Sequence, residues 1–162
     1  AIVGLGKACE MAAGSLETRM NKLTQMRNRL ITGLPAKIEH VVVTGHPQER
    51  LPGLVSFCVE FIEGESMLMM LNSQGISVSS GSSCTSRALK ASHVLLAMGY
   101  PHELAQGSIL FTFGIQNSPE DVDYVLEVMP PIVDRLGRCR RFILNLPSRA
   151  KEANKMPVYS DR

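Results

Sequence analysis

Four cysteines and four histidines are the residues best suited to covalent or metal chemistry in this 162-residue chain, and one of them stands apart. Cys84 lies in Val78-Ser79-Ser80-Gly81-Ser82-Ser83-Cys84-Thr85-Ser86, among small and hydroxylated side chains, with glycine three positions before it. No large apolar side chain falls between Val78 and Leu89, so nothing there ties the segment into a core. Free cysteine is ordinarily buried as a small hydrophobe. On a polar segment it is presented to something. Backbone N–H groups and the cations Arg87 and Lys90 supply surroundings that favour a thiolate. Two readings are open at this point, a nucleophilic thiol and a merely exposed one. The chemistry of the first is attack on a sulfur atom with departure of a stabilised group, as in thiol–disulfide exchange.

The other candidates carry less. Cys9, Cys58, Cys84 and Cys139 show no CxxC spacing and fall in different elements, which argues against a zinc site, a redox pair or a disulfide frame. Cys58 falls on the polar register of a strand and reads as a structural thiol. His93 follows Cys84 by nine positions, the only arrangement in the chain that suggests a Cys–His hydrolase pair. His40, His46 and His102 lie in polar strand or loop positions without metal-ligand spacing, so no metal site is expected.

The elements that must position Cys84 can be read from periodicity. Leu5, Cys9, Ala12, Leu16, Met20, Leu23, Met26 and Leu30 recur at helical intervals, predicting a helix over 1–33 that Gly33 and Pro35 end. Its first residues already lie inside the pattern and lack a cap, as expected of a chain cut from something longer. Residues 38–44 predict a strand rich in β-branched side chains. Val55, Phe57, Val59 and Phe61 alternate with Ser56, Cys58 and Glu60, predicting a strand with one buried face. A short helix over 65–74 closes at Gly75. A brief strand over 76–79 feeds the Cys84 segment, and Ser92 caps a helix that stops at Gly99 and Pro101. Ser108 to Gly114 predicts a strand, with Ile109, Phe111 and Phe113 on one side and Ser108, Leu110 and Thr112 on the other. Ser118-Pro119-Glu120-Asp121 opens the last helix with a cap, a proline and two acids. Pro130-Pro131 is expected to kink or interrupt it. The mixed order without a βαβ repeat predicts an α+β domain, a small, mainly antiparallel sheet with helices packed on one face.

Composition sets the class. The length is that of one domain, and 44% apolar residues suffice for a core. No run of 18 apolar residues and no signal-peptide pattern occurs, so a cytoplasmic protein without membrane contact is expected. The net charge of +2 hides an asymmetry. Residues 1–135 hold 10 basic and 13 acidic side chains, whereas 136–162 hold 7 and 2, a basic tail open to solvent or to an acidic partner. Nucleic acid is not expected from one basic tail without a recognition fold.

The Ser-Ser-Gly-Ser-Ser-Cys-Thr-Ser segment, with Ser92-His93-Val94-Leu95-Leu96-Ala97-Met98-Gly99 after it, resembles the active-site loop and following helix of NifS/IscS-type cysteine desulfurases. Val59-Glu60-Phe61-Ile62-Glu63-Gly64-Glu65-Ser66, Leu104-Ala105-Gln106-Gly107-Ser108-Ile109 and Pro119-Glu120-Asp121-Val122-Asp123-Tyr124 resemble further stretches of that family in the same order. The likeness runs from about Ala1 to Leu136. It implies that residues 1–136 are the small carboxy-terminal domain of such an enzyme, with 137–162 as basic tail or linker.

By resemblance, Cys84 would take the sulfur of L-cysteine as a persulfide for iron–sulfur cluster assembly. Pyridoxal phosphate, held by a lysine of a separate cofactor domain, would act as electron sink in a homodimeric enzyme. None of Lys7, Lys22, Lys37, Lys90, Lys151 and Lys155 has the family's lysine setting, so no cofactor is expected in this chain alone. The family's Ser-Ile-Arg-Phe strand places an arginine on the substrate carboxylate where Ser108-Ile109-Leu110-Phe111 has Leu110. That departure opens an alternative, a non-catalytic interaction domain of desulfurase descent. Met156-Pro157-Val158-Tyr159-Ser160-Asp161-Arg162 resembles the start of an IscU/NifU-type scaffold, the usual sulfur acceptor. A linker would then run from Leu146, and a plain basic tail is the other reading.

Overall fold

The computed structural model describes residues 1–81 and 91–144, with side chains through Arg138. Cys84, Arg87, Lys90, the Cys139 side chain, the stretch from Leu146 and the scaffold-like end at 156–162 lie outside the described residues. In chain order the elements are α1 (Ile2–Lys37), β1 (Val41–Thr44), β2 (Leu54–Val59), α2 (Gly64–Ser73), α3 (His93–Ala97), α4 (His102–Gln106), β3 (Ser108–Thr112) and α5 (Pro119–Leu144). The strands form one antiparallel sheet in the order β1-β2-β3, an α+β arrangement as expected.

Alternation decides which way each strand faces. Val41, Val43, Val55, Phe57, Val59, Ile109 and Phe111 point to one side, where they meet Met26, Leu30 and Leu34 of α1, Met67 and Leu71 of α2, and Val122, Leu126 and Met129 of α5. Phe57 and Phe111 meet edge to face with centroids 6.1 Å apart. The opposite side is partly covered by a smaller cluster in which Leu95 of α3 and Leu104 and Ala105 of α4 close over Cys58 and Val42.

Both long helices run further than their prolines and glycines predicted. α1 continues through Gly33 and Pro35 to Lys37, and Ile38 N–H still closes the last turn on Leu34 O at 2.9 Å. Gly33 marks close approach rather than a stop, since a Cβ there would lie 2.7 Å from a methyl of Leu126 on α5. α5 runs through Pro130 and Pro131 without ending. Pro130 has no N–H to give to the carbonyl four residues back, Leu126 O. That carbonyl instead accepts the Lys37 ammonium at 3.1 Å. A side chain from the end of one helix therefore replaces the bond that proline removes from the other.

Other boundaries shift for local reasons. β1 starts at Val41 and not at 38, because His40 takes a left-handed φ of 62° and turns the chain after α1. Only Ser79 of the expected strand over 76–79 pairs, through an isolated bridge to Leu110. α5 opens as its sequence predicts. Asp121 accepts from Ser118 N–H at 3.0 Å and from the Asn117 side chain at 3.0 Å, which holds its carboxyl below its ordinary range.

Candidate functional site

The second side of the sheet carries the polar residues next to Gly81, the last described residue before the Cys84 segment. Opposed residues of antiparallel strands share a face, so the register Thr44↔Ser56↔Leu110, extended by the Ser79 bridge, lays four side chains in one row. Three are hydroxyls and one is Leu110. Thr44 donates to Ser56 Oγ at 2.6 Å. Leu110 is half-buried, and its backbone is fixed by two bonds to Ser79, of 2.7 and 3.1 Å. The adjacent row is Val42, Cys58 and Ser108.

Ser108 is where the two ends of the Cys84 segment meet. Its hydroxyl accepts the Gly81 N–H at 3.1 Å, and the residue is almost wholly buried. A Cβ built on Gly81 would lie 2.6 Å from Ser108 Oγ and 3.2 Å from Ser92 Cβ. Ser92 and Ala91 are themselves buried, and Ser92 O accepts Leu96 N–H to begin α3. Gly81 and Ser92, the described residues before and after the Cys84 segment, thus lie close together. Cys84 itself is outside the described residues. The positions of both roots are not.

Several of the described ionisable groups are engaged structurally. Arg50, at the end of the hydroxyl row, donates through Nε to His46 O at 2.7 Å and through Nη2 to Gly45 O and Thr44 O at 3.3 and 3.4 Å. Burial and the neighbouring Arg27 guanidinium push its pKa down. Burial raises the Cys58 thiol from its ordinary value near 9 to about 12, which makes it inert as a nucleophile at neutral pH. Cys9 is exposed on α1. His46 Nδ1 accepts the N–H groups of Gln48 and Glu49, at 3.2 and 2.8 Å, and His40 Nδ1 lies 3.4 Å from the Glu60 carboxylate. His93 is exposed at the start of α3. Among the described residues, no three His, Cys, Asp or Glu side chains converge as metal ligands.

The described lysines do not fit an aldehyde cofactor held as a Schiff base. Lys7 pairs with Glu10 in solvent at 3.0 Å, Lys22 donates to Ile115 O at 2.8 Å, and Lys37 is committed to Leu126 O. Leu110 stands where the resemblance expects the carboxylate-binding arginine, in a row that offers hydroxyls and one aliphatic side chain. Sequence reasoning placed Ser108, Leu110 and Thr112 on one face but missed Ser108 as the meeting point. The signal was a serine on a strand otherwise rich in bulky apolar residues, and its partner Gly81 lies 27 positions away.

Residues 1–125 match the aminotransferase class-V family. The chain is 50% identical over 135 residues to a protein of Methanosarcina thermophila described as cysteine desulfurase IscS, covering 83% of this chain and 33% of that protein. It is 44% identical over 158 residues to a cysteine desulfurase of Klebsiella pneumoniae, covering 98% of this chain and 40% of the relative. Among solved structures it is similar to a NifS-like protein, with a TM-score of 0.71 and 29% identity over 83% of this chain and 33% of that one. The chain thus spans between a third and two fifths of the length of these relatives.

Proposed function

Since the chain belongs to the class-V aminotransferase family, we propose that it is the sulfur-carrying part of a cysteine desulfurase, with Cys84 as the carrier. The observation that carries this reading is the convergence of Gly81, Ser92 and Ser108. It brings Gly81 and Ser92, the described residues on either side of the cysteine-bearing segment, together beside Ser108 in a chain whose relatives are described as cysteine desulfurases. The net step balances: the C–S bond of L-cysteine breaks, an S–S bond forms at Cys84 Sγ, and L-alanine and the persulfide Cys84–S–SH result. Pyridoxal phosphate would supply the electron sink from segments outside this chain. The persulfide would pass its outer sulfur to an acceptor thiol, with an IscU/NifU-type scaffold as the partner. In this reading residues 1–136 form the small carboxy-terminal domain of a cytoplasmic homodimer. The basic stretch 137–162 serves as tail or linker, although its first residues continue α5 to Leu144. Among the described residues no helix is long and apolar enough to cross a membrane.

The test bypasses the cofactor. The chain is incubated with a low-molecular-weight persulfide and mapped by mass spectrometry without reduction. One extra sulfur atom should appear on Cys84 sooner than on Cys9 and should move to an added scaffold thiol. Sulfur uptake on Cys9 alone would overturn the reading.

Leu110 favours a second reading, an interaction domain of the same descent without catalysis, because an aliphatic side chain cannot form the carboxylate fork. Leu110→Arg in the protein joined to a cofactor domain separates the two. A gain of about tenfold or more in kcat/KM for cysteine, the worth of one charge-assisted bond, would mark an impaired enzyme. No turnover in either form supports the interaction domain.

A further inference from the structure

We propose that the free edge of β1 is an interface with a second copy of this chain, formed by antiparallel pairing of β1 with β1 across a two-fold axis at Val42. Hydrogen-bond direction shows which groups are free. Glu60 N–H donates to His40 O at 3.0 Å, and the register pairs Val41 with Val59, Val42 with Cys58, Val43 with Phe57 and Thr44 with Ser56. Bonding along an antiparallel pair alternates, so His40, Val42 and Thr44 bond to β2 while Val41 and Val43 turn their N–H and C=O groups outward. β1 ends the sheet on that side, and among the described residues no group beyond it bonds to Val41 or Val43. Two N–H and two C=O groups therefore form an open template for another strand.

A second β1 fits that template. With Val41 of each copy facing Val43 of the other, all the free groups of both copies pair in N–H···O bonds, and Val42 faces Val42 on the axis. Shifting the register by two residues either way leaves half of those groups unpaired. The two ends of the strand also carry opposite charge. Before β1 stands Glu39, whose side chain is 93% exposed and whose ion-pair neighbour among the described residues is the His40 imidazole at 4.0 Å. After β1 stands Arg50, which bonds the carbonyls of Thr44, Gly45 and His46, has the Arg27 guanidinium as its charged neighbour, and meets no carboxylate among the described residues. Antiparallel pairing brings the Glu39 turn of each copy beside the Arg50 turn of the other, two opposite-charge contacts related by the axis. So short a strand buries less than the roughly 1,200 Å² of a stable interface, so the pairing is weak and shows at high protein concentration.

Amide exchange of the full chain, followed by NMR at about 0.05 and about 1 mM protein, reads the edge directly. Val41 and Val43 N–H should exchange at least about twofold more slowly at the higher concentration, the change expected for a dissociation constant of about 0.3 mM. A second readout is covalent. The two Val42 Cα atoms would lie about 4.5 Å apart, as in a pair not joined by hydrogen bonds, which is within the span of a disulfide. Val42→Cys in a Cys9→Ser background, treated with oxidised glutathione, should therefore give a dimer whose peptide map joins the two introduced thiols. Val43→Pro removes an outward N–H and no bond to β2, and should abolish both signals. Glu39→Arg sets like charges against Arg50 and should lower the cross-linked yield about threefold or more; it serves if Val43→Pro fails to fold. Exchange at Val41 and Val43 that does not depend on concentration would overturn the proposal. So would association that leaves those two amides unprotected, since it would place the contact elsewhere, as on the exposed stripe of α1. Sulfur uptake by Cys84 has no part in these readouts, so the functional reading and the edge pairing fail separately.

Discussion

Cys58 and Cys9 differ by what surrounds them, and Cys84 by its sequence context. Cys58 is wholly buried under Leu95, Leu104 and Ala105, and that burial lifts its pKa to about 12. Cys9 is exposed on α1, and Cys84 lies in a segment without an apolar anchor. Brief iodoacetamide treatment should therefore label Cys84 first, Cys9 next, and Cys58 only on unfolding; early labelling of Cys58 would contradict its burial. The same burial gives a pH dependence. Between about pH 9 and 12 the folded chain keeps a proton on Cys58 that the unfolded chain releases. Raising the pH through that window therefore favours unfolding, by about 1.4 kcal/mol per pH unit. Tyr100, whose pKa is also raised by burial, adds to the alkaline loss. The difference in urea stability between wild type and Cys58→Ala should shrink steadily above pH 9, and a constant difference would show that Cys58 does not titrate there. Sequence alone marked Cys58 as structural through its place on a strand. Its full burial was not legible, because the covering side chains come from α3 and α4, more than thirty positions away.

At the scale of elements, some local signals were read correctly, but Ser92 makes no side-chain cap bond to α3, α4 was not foreseen, and override by neighbours was not read. The α5 start and the Gly75 stop were legible, since caps and left-handed glycines act over a few residues. Pro35 and Pro130-Pro131 misled, because what lets a helix pass a proline is supplied from elsewhere. The clearest case is Lys37 on Leu126 O. Lys37→Met keeps the aliphatic stem and removes the donor, and should cost about 1–3 kcal/mol, the penalty of an unsatisfied, partly buried carbonyl. Pro130→Ala restores an N–H to that carbonyl and should make Lys37→Met nearly neutral in the double variant. Chemical denaturation of the four proteins gives the coupling energy directly. An additive cycle would show that Lys37 does not replace the missing helix bond.

The whole molecule is unevenly covered, and α1 shows it. At 36 residues it is about 54 Å long, far more than a three-stranded sheet can cover. Of the apolar stripe read from the sequence, Met26 and Leu30 are buried, joined by Leu34, while Leu5, Leu16 and Met20 are exposed along with Ile2, Val3 and Met11. Periodicity predicted an apolar face correctly but could not say what lies against it. The covered part packs on β1, β2 and α5, and in the proposed enzyme the remainder would meet the cofactor domain. Leu30→Ala should therefore destabilise the chain by about 2–5 kcal/mol, as a fully buried leucine does. Leu16→Gln, a swap between good helix formers in solvent, should change stability by no more than about 0.5 kcal/mol. When the chain is mixed with the missing two thirds of a relative, the order should invert for association. Leu16→Gln should weaken complex formation in titration calorimetry although it leaves the isolated fold untouched. If Leu16→Gln destabilises the isolated chain as much as Leu30→Ala does, the amino-terminal half of α1 is covered within the chain itself, and its exposed stripe does not await a partner.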